Sequence, residues 1–307
     1  MSRSIPLRLQ APRPAIAGRA GRVTAGAIAA FATVVAIAAL TASPAPAQTT
    51  ATETKPADAT STPAPYTPQS GQAGKDVIWV PTPQELVDRM LDMAKLSSDD
   101  YVIDLGSGDG RTVITAARRG ARALGIEYNP DMVALSRRNA AAAGVGDRAS
   151  FIQGDIFQSD FSRASLITLF LLPNLNLKLR PILLDMKPGT RVVSNSFDME
   201  DWQADEAING GRDCVAWCRA FKWVIPAKVG GSWQLGDATL QLEQTFQMLT
   251  GTLTEAGQAQ PISEARMNGT AITFTAAGRR YDGRLDGDVL SGTVAGGGSW
   301  RATRRAG

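Results

Sequence analysis

Tyr101-Val102-Ile103-Asp104-Leu105-Gly106-Ser107-Gly108-Asp109-Gly110 is the stretch on which the reading of this chain turns. An aromatic and two apolar residues, then a carboxylate, then glycine at every second position describe a buried strand that stops abruptly where backbone must approach something closely. The residues that follow, Arg111 to Arg119, carry a helical pattern. The unit is therefore strand, glycine loop, helix, with the loop's N–H groups at a helix N-terminus.

Side chains in the loop narrow the ligand class. A dinucleotide fingerprint places its third glycine one position later and must accept a pyrophosphate. Here Arg111 stands at that later position, and Asp104 and Asp109 flank the loop. Two carboxylates beside a diphosphate repel it by about 4 kcal/mol per close pair at intermediate dielectric. The loop suits a cationic or zwitterionic ligand.

The same β-α alternation continues outward. Ala123–Glu127 reads as a strand, 130–143 as a helix stopped by Gly144, and Ser150–Gln153 as a strand. Leu166–Leu172 is an apolar run of the kind parallel sheets bury on both faces, Leu175–Leu184 is helical, and Arg191–Ser194 is a strand. This order predicts an α/β fold with a doubly wound parallel sheet, whose ligands bind at the carboxyl ends of the strands. Asp104, Glu127 and Asp155 all fall at such ends.

These residues carry a resemblance. Asp104-Leu-Gly-Ser-Gly-Asp-Gly110 resembles motif I of the class I S-adenosylmethionine-dependent methyltransferases, with a Rossmann-like sheet. Glu127, ending Ala123-Leu-Gly-Ile126, matches the acid that family places on the ribose hydroxyls. Asp155, in Phe151-Ile-Gln-Gly-Asp-Ile-Phe157, matches the acid near the adenine, with Ile156 beside it. The resemblance implies S-adenosyl-L-methionine as cofactor, bound by Asp104, Gly106, Ser107, Gly108, Asp109, Gly110, Glu127, Asp155 and Ile156. It extends to bacterial relatives of the ATP synthase c-subunit lysine N-methyltransferases through Val80-Pro-Thr-Pro83, Ser136-Arg137, Leu171-Leu-Pro-Asn174, Leu179-Arg-Pro181 and Lys187-Pro-Gly-Thr-Arg-Val-Val193. The expected activity is methyl transfer to a protein lysine or another amine; the alternative is an exported S-adenosylmethionine-binding protein without turnover. Pro173 and Asn174 after the fourth strand, and Trp79 before motif I, are the candidates for the acceptor site. The family shows Ser-His-Asp-Phe where this chain has Ser194-Asn195-Ser196-Phe197, a departure at that end of the site.

Composition bounds the rest. The 307 residues, 44% hydrophobic, suffice for two domains. There is no histidine, which removes histidine catalysis and histidine metal ligation. The formal charge of +3 includes five arginines within residues 1–47, which hold no acid, so the remainder stands at −2 and gives no electrostatic reason to expect a nucleic-acid partner. The expected partner is a protein or small-molecule methyl acceptor.

Residues 1–47 combine a basic stretch, the apolar run Val23 to Leu40 and Ala45-Pro46-Ala47, the build of a signal peptide for export to the periplasm or cell envelope. An uncleaved membrane anchor, with membrane association through that segment, is the competing reading. Residues 48–75 read as a disordered linker and 76–225 as the methyltransferase domain, its first helix capped by Thr82 with Pro83 at the first position. Residues 226–307, short alternating runs cut by glycine turns, read as an antiparallel all-β domain, a small barrel or sandwich, with Trp233 and Trp300 as core plugs. Cys214 and Cys218, four apart, are too distant to bridge along a strand and strained on a helix, so they are read as two thiols.

Overall fold

The computed structural model describes residues 66–211 and 214–305; the proposed signal peptide lies outside them. Seven strands form the first sheet: β1 Tyr101–Leu105, β2 Arg122–Glu127, β3 Ala149–Gln153, β4 Leu166–Leu169, β5 Arg191–Asn195, β6 Glu206–Asn209 and β7 Arg219–Val224, in the order β3-β2-β1-β4-β5-β7-β6. β1 to β5 pair in parallel, and β7 enters antiparallel between β5 and β6. The sheet is therefore mixed where a wholly parallel one was expected. The cause is the nine-residue loop between β6 and β7, too short for a crossover, so β7 must turn back on β6.

Helices α1 Gln84–Met93, α2 Arg111–Arg118 and α3 Pro130–Ala142 contribute to one apolar cluster, with Leu86, Val113 and Val133 against Val102 of β1. Helix α4 Pro173–Leu184 buries Leu175, Leu179 and Leu183 with Ile103 and Leu105. Neighbouring residues of β1 thus feed different cores, as alternation on a pleated strand requires. That is the doubly wound arrangement. Its strand order reverses between β1 and β4, which opens a crevice at their carboxyl ends.

Local expectations shift in three places. The cap of α1 is Pro83 without a side-chain hydrogen bond; Thr82 Oγ1 instead accepts from Asn195 Nδ2 at 3.1 Å, tying this helix start to the end of β5. Strand β4 ends at Leu169, and Phe170 to Leu172 leave the ladder. Residues 66–75, expected in the linker, fold back over the crevice. Gly71 N–H donates to Trp79 O and Trp79 N–H to Gln72 O, both at 2.8 Å, and the bridge Ala73–Ile78 closes a small hairpin. Backbone pairing supplies the order that composition lacks.

The C-terminal part is all antiparallel: β8 Gly231–Leu235, β9 Ala238–Thr245, β10 Met248–Glu255, β11 Gln258–Pro261, β12 Ser263–Asn268, β13 Ala271–Ala276, β14 Arg279–Asp286, β15 Val289–Val294 and β16 Ser299–Arg304. β10 pairs with both β9 and β12, and β16 with β8, so eight strands close on themselves while β11 pairs on β10. The result is a barrel whose edges are removed by closure. Trp233, Phe274, Tyr281 and Trp300 fill it: Phe274 stacks on Tyr281 at 4.6 Å, and Trp300 meets Phe274 edge-on at 5.7 Å. The indole N–H groups stay satisfied, Trp233 donating to Val229 O at 2.8 Å and Trp300 to Asp282 O at 3.1 Å. The β9–β10 turn leaves the barrel to pack on the first sheet, where Phe246 stacks against Trp202 and Gln247 Oε1 accepts from Trp202 Nε1 at 3.0 Å.

Candidate active site

Glycine geometry builds the site first. Gly106, Gly108 and Gly110 all have left-handed φ, +81°, +54° and +83°. At Gly108 space forbids a side chain as well, since a Cβ would stand 2.6 Å from Trp79 Nε1. The loop is pinned on the far side of the strand: Gly106 and Ser107 donate to Ile126 O at 2.9 and 3.1 Å, and Ser136 Oγ donates to Gly108 O at 2.7 Å.

Around this loop lies a cavity of about 560 Å³ at the carboxyl ends of β1, β2 and β4. Of the expected cofactor residues, Asp104, Gly106, Ser107, Gly108, Asp109, Glu127, Asp155 and Ile156 line it; Gly110 stands behind, starting α2. Glu127 links the glycine loop to the segment that follows β2. Its Oε2 accepts from Gly108 N–H and its Oε1 from Asn129 N–H, each at 2.9 Å. A loop N–H that a phosphate binder would offer to its ligand is here given to a carboxylate.

Asp104 is buried and its Oδ1 accepts from Thr168 Oγ1 at 2.6 Å. Burial pushes its carboxyl up to about 7, against the Thr168 hydrogen bond, and the charges of Glu127 and Asp109 add to the rise. A cation brought beside it would favour the ionised form. Asp109 is ion-paired: Arg111 Nη2 stands 2.6 Å from its Oδ2, and Arg111 Nη1 donates to Thr82 O at 2.7 Å. Asp155 accepts from Lys75 Nζ at 2.7 Å, which holds its carboxyl below the usual range. Solvent screens a pair with so exposed a lysine, so a ligand can displace Lys75 at little cost.

The acceptor candidates divide. Trp79 lines the cavity but lies over Gly108, on the loop side. Pro173 and Asn174 are exposed in the first turn of α4 and do not line the cavity. The Leu172 carbonyl caps the helix, accepting from Leu175 and Asn176 N–H at 3.0 and 3.1 Å. At that end the cavity is walled by Phe170, Leu171, Leu172, Leu175, Phe197 and Trp217. Phe170 is hidden in sequence inside an apolar run, and Phe197 ends the Ser-Asn-Ser-Phe departure.

Trp217 is masked in sequence by its flanking cysteines. Cys214 and Cys218 form a disulfide with Cα atoms 5.7 Å apart, not the two thiols expected. The segment is neither strand nor helix: Gly210 and Gly211 precede it and Trp217 takes φ +57°, which brings the two ends within bridging distance. Among the described residues no group of acids and cysteines could hold a metal ion, and no helix is long and apolar enough to cross a membrane.

The residues present fit S-adenosylmethionine. The glycine cradle, with left-handed φ at Gly106, Gly108 and Gly110, admits close approach, and the acids that line the cavity answer an ammonium, a sulfonium and ribose hydroxyls.

Comparison with known proteins agrees. The ANTKMT methyltransferase domain family matches residues 104–206. A protein-lysine N-methyltransferase of Saccharolobus islandicus is 46% identical over 135 residues, covering 43% of this chain and 84% of that protein. The ATP synthase c-subunit lysine N-methyltransferase of Mus musculus is 37% identical over 118 residues, covering 37% of this chain and 47% of its own length; the Homo sapiens protein of that name is 33% identical, with 45% and 59% covered. A solved RNA methyltransferase from Salinibacter ruber, in complex with S-adenosyl-L-homocysteine, is 49% identical with a TM-score of 0.46, covering 49% of this chain and 96% of that one. The chain belongs to the class I S-adenosylmethionine-dependent methyltransferases, in the family of the protein-lysine N-methyltransferases. It spans about half the length of the mouse relative, and its barrel lies outside the matched segment.

Proposed function

We propose that this protein methylates a lysine side chain of a protein, or another alkyl amine. The observation that carries the reading is the identity to a protein-lysine N-methyltransferase over most of that relative's length. S-Adenosylmethionine, bound there, supplies a methyl group on a sulfonium. Glu127 would accept from the ribose hydroxyls, Asp104 from the ammonium of the methionine part, and Asp155 from the adenine amine. The walls hold acceptor and donor in line, and alignment of this kind lowers a barrier by several kcal/mol, up to roughly 7–11. The amine must first lose its proton, and water at the half-exposed Trp217 edge takes it.

A second reading, binding without turnover outside the cytoplasm, draws support from two features. The Cys214–Cys218 disulfide suits an oxidising compartment, and residues 1–47 read as an export signal or an anchor. S-Adenosylmethionine is made in the cytoplasm, so an exported enzyme would need its donor supplied. One experiment separates the two readings: incubation of the full chain with methyl-labelled S-adenosylmethionine and poly-L-lysine or a cell extract, followed by acid hydrolysis. Label recovered in methyl-lysine is the expected result. Cofactor bound with no label in any amine would give the second reading.

A further inference from the structure

The loop between β6 and β7 lies outside the matched family segment, 104–206, yet it reaches the cavity. Strand pairing explains how. β7 runs antiparallel to β5 with Ala220 opposite Asn195, so the residues preceding β7 emerge at the carboxyl end of β5, on the side where Asp104 and Glu127 stand. The disulfide ties Cys214 to Cys218 at the β7 end of this loop, and Gly210 lies so near it that a Cβ there would stand 2.9 Å from Cys214 Cβ.

Trp217 then sits on left-handed backbone, φ +57°, with 45% of its surface exposed. A tryptophan held that way forgoes both burial and a relaxed backbone, a combination that persists where the surroundings impose it. Its ring centroid is 6.0 Å from Phe170 and 5.6 Å from Phe197, which are 6.3 Å from each other, and all three rings line the cavity. Phe197 is fixed through its carbonyl, which accepts from Ser194 Oγ at 2.7 Å and Asn176 Nδ2 at 3.2 Å.

Charge says what such a wall would meet. The cavity is lined by five acids, Asp76, Asp104, Asp109, Glu127 and Asp155, against Lys75 and Arg111, and both of those cations are ion-paired. Aromatic faces carry negative quadrupole density, and an acidic vestibule concentrates cations over them.

We propose that Phe170, Phe197 and Trp217 form the acceptor subsite and select an alkylammonium group, with the disulfide-tied loop as the element that sets this specificity. The inference rests on the methyltransferase reading. It goes further in naming the charge of the acceptor and in assigning the selecting residue to a segment beyond the family domain. The rings hold the approaching ammonium before its proton leaves and hold the methylated product, which forms as a cation when the methyl passes from the sulfonium to the neutral amine.

The test uses the full chain saturated with S-adenosylhomocysteine, titrated with N-acetyl-Nε-trimethyl-lysine amide and with its neutral tert-butyl isostere. The cation should bind about tenfold more tightly than the isostere. Trp217→Ala should erase most of that preference, Trp217→Phe should keep it within about threefold, and the Cys214→Ser/Cys218→Ser double variant should behave like Trp217→Ala. S-Adenosylhomocysteine affinity should stay within about twofold in all three variants. Equal binding of cation and isostere to the native chain, or a preference that survives Trp217→Ala, would overturn the proposal and leave the methyltransferase reading standing. Failure of the native chain to bind S-adenosylhomocysteine would overturn both.

Discussion

The first sheet and the barrel both pack on apolar residues, yet they treat the ends of their strands in opposite ways. In the barrel the large side chains point inward, and Trp233, Phe274 and Trp300 fill the interior that closure creates. In the first sheet the parallel strands β1, β2 and β4 stop together, and the side chains at their ends, Asp104, Glu127 and Phe170, face a cavity of about 560 Å³. The difference teaches where chemistry is possible. A parallel sheet whose order reverses leaves a crevice that no crossover covers, whereas a small antiparallel barrel spends its interior on its own aromatic rings. On this account the barrel contributes stability and packing to the cavity-bearing part, through Phe246 and Gln247 on Trp202, and no ligand site of its own in its core.

Substitutions in the two regions should therefore part company. Trp233→Ala, which empties the most deeply buried plug of the barrel, should cost about 3–5 kcal/mol of stability in denaturant unfolding while cofactor affinity in the folded fraction stays within about twofold. A large loss of affinity there would break the comparison. Glu127→Ala should do the reverse. It removes the acceptor of the Gly108 and Asn129 N–H groups and, on the proposed reading, of the ribose hydroxyls, and calorimetry should show S-adenosylhomocysteine binding weakened by about 1.5–3 kcal/mol, ten- to a hundredfold.

Asp104 sharpens the contrast through pH. Its carboxyl is raised to about 7 by burial, with Glu127 and Asp109 adding to the rise. A group raised in the native state favours folding below its unfolded pKa, and that contribution is lost as pH climbs through the folded value, so stability should fall between about pH 4 and 7 on this group's account. With the ammonium placed beside Asp104 as proposed, binding runs the other way, because that contact requires the ionised carboxylate. S-Adenosylmethionine affinity should rise about tenfold from pH 6 to 8, and Asp104→Asn should flatten both dependences. An affinity independent of pH in the native chain would place the ammonium elsewhere. The smallest effect belongs to Asp155→Asn, which removes a half-buried carboxylate already shared with Lys75 and proposed to meet only a neutral amine. It should weaken binding about three- to fivefold.

The elements that decide the fold are legible in the sequence because they are local. Tyr101 to Gly110 states its own strand, loop and helix, and the acids Glu127 and Asp155 follow from strand ends that periodicity alone can find. What escapes a sequence reading depends on tertiary context. β6 and β7 are short and sit beside a loop rich in small residues, so the antiparallel entry of β7 has no periodic signature. Cys214 and Cys218 cannot bridge on a regular strand and strain a helix, while Trp217's left-handed turn, which no pattern announces, brings them together. Asn174 follows β4 in the chain, but the turn that starts α4 points it to solvent and leaves the cavity to Phe170 and Leu172. Residues 66–75 have the composition of a linker and gain their order from backbone bonds to Gln72 and Trp79.

The central claim is that the glycine loop and the acids at the strand ends form one site for a cationic adenosyl ligand. Calorimetric titration of the full chain with S-adenosylmethionine and with NAD, repeated on Glu127→Ala and Asp104→Asn at pH 8, tests it most directly. The account predicts that S-adenosylmethionine binds, that NAD binds far more weakly, and that both substitutions weaken the S-adenosylmethionine heat in folded protein. NAD binding more tightly than S-adenosylmethionine, or an affinity unchanged in both variants, would contradict it.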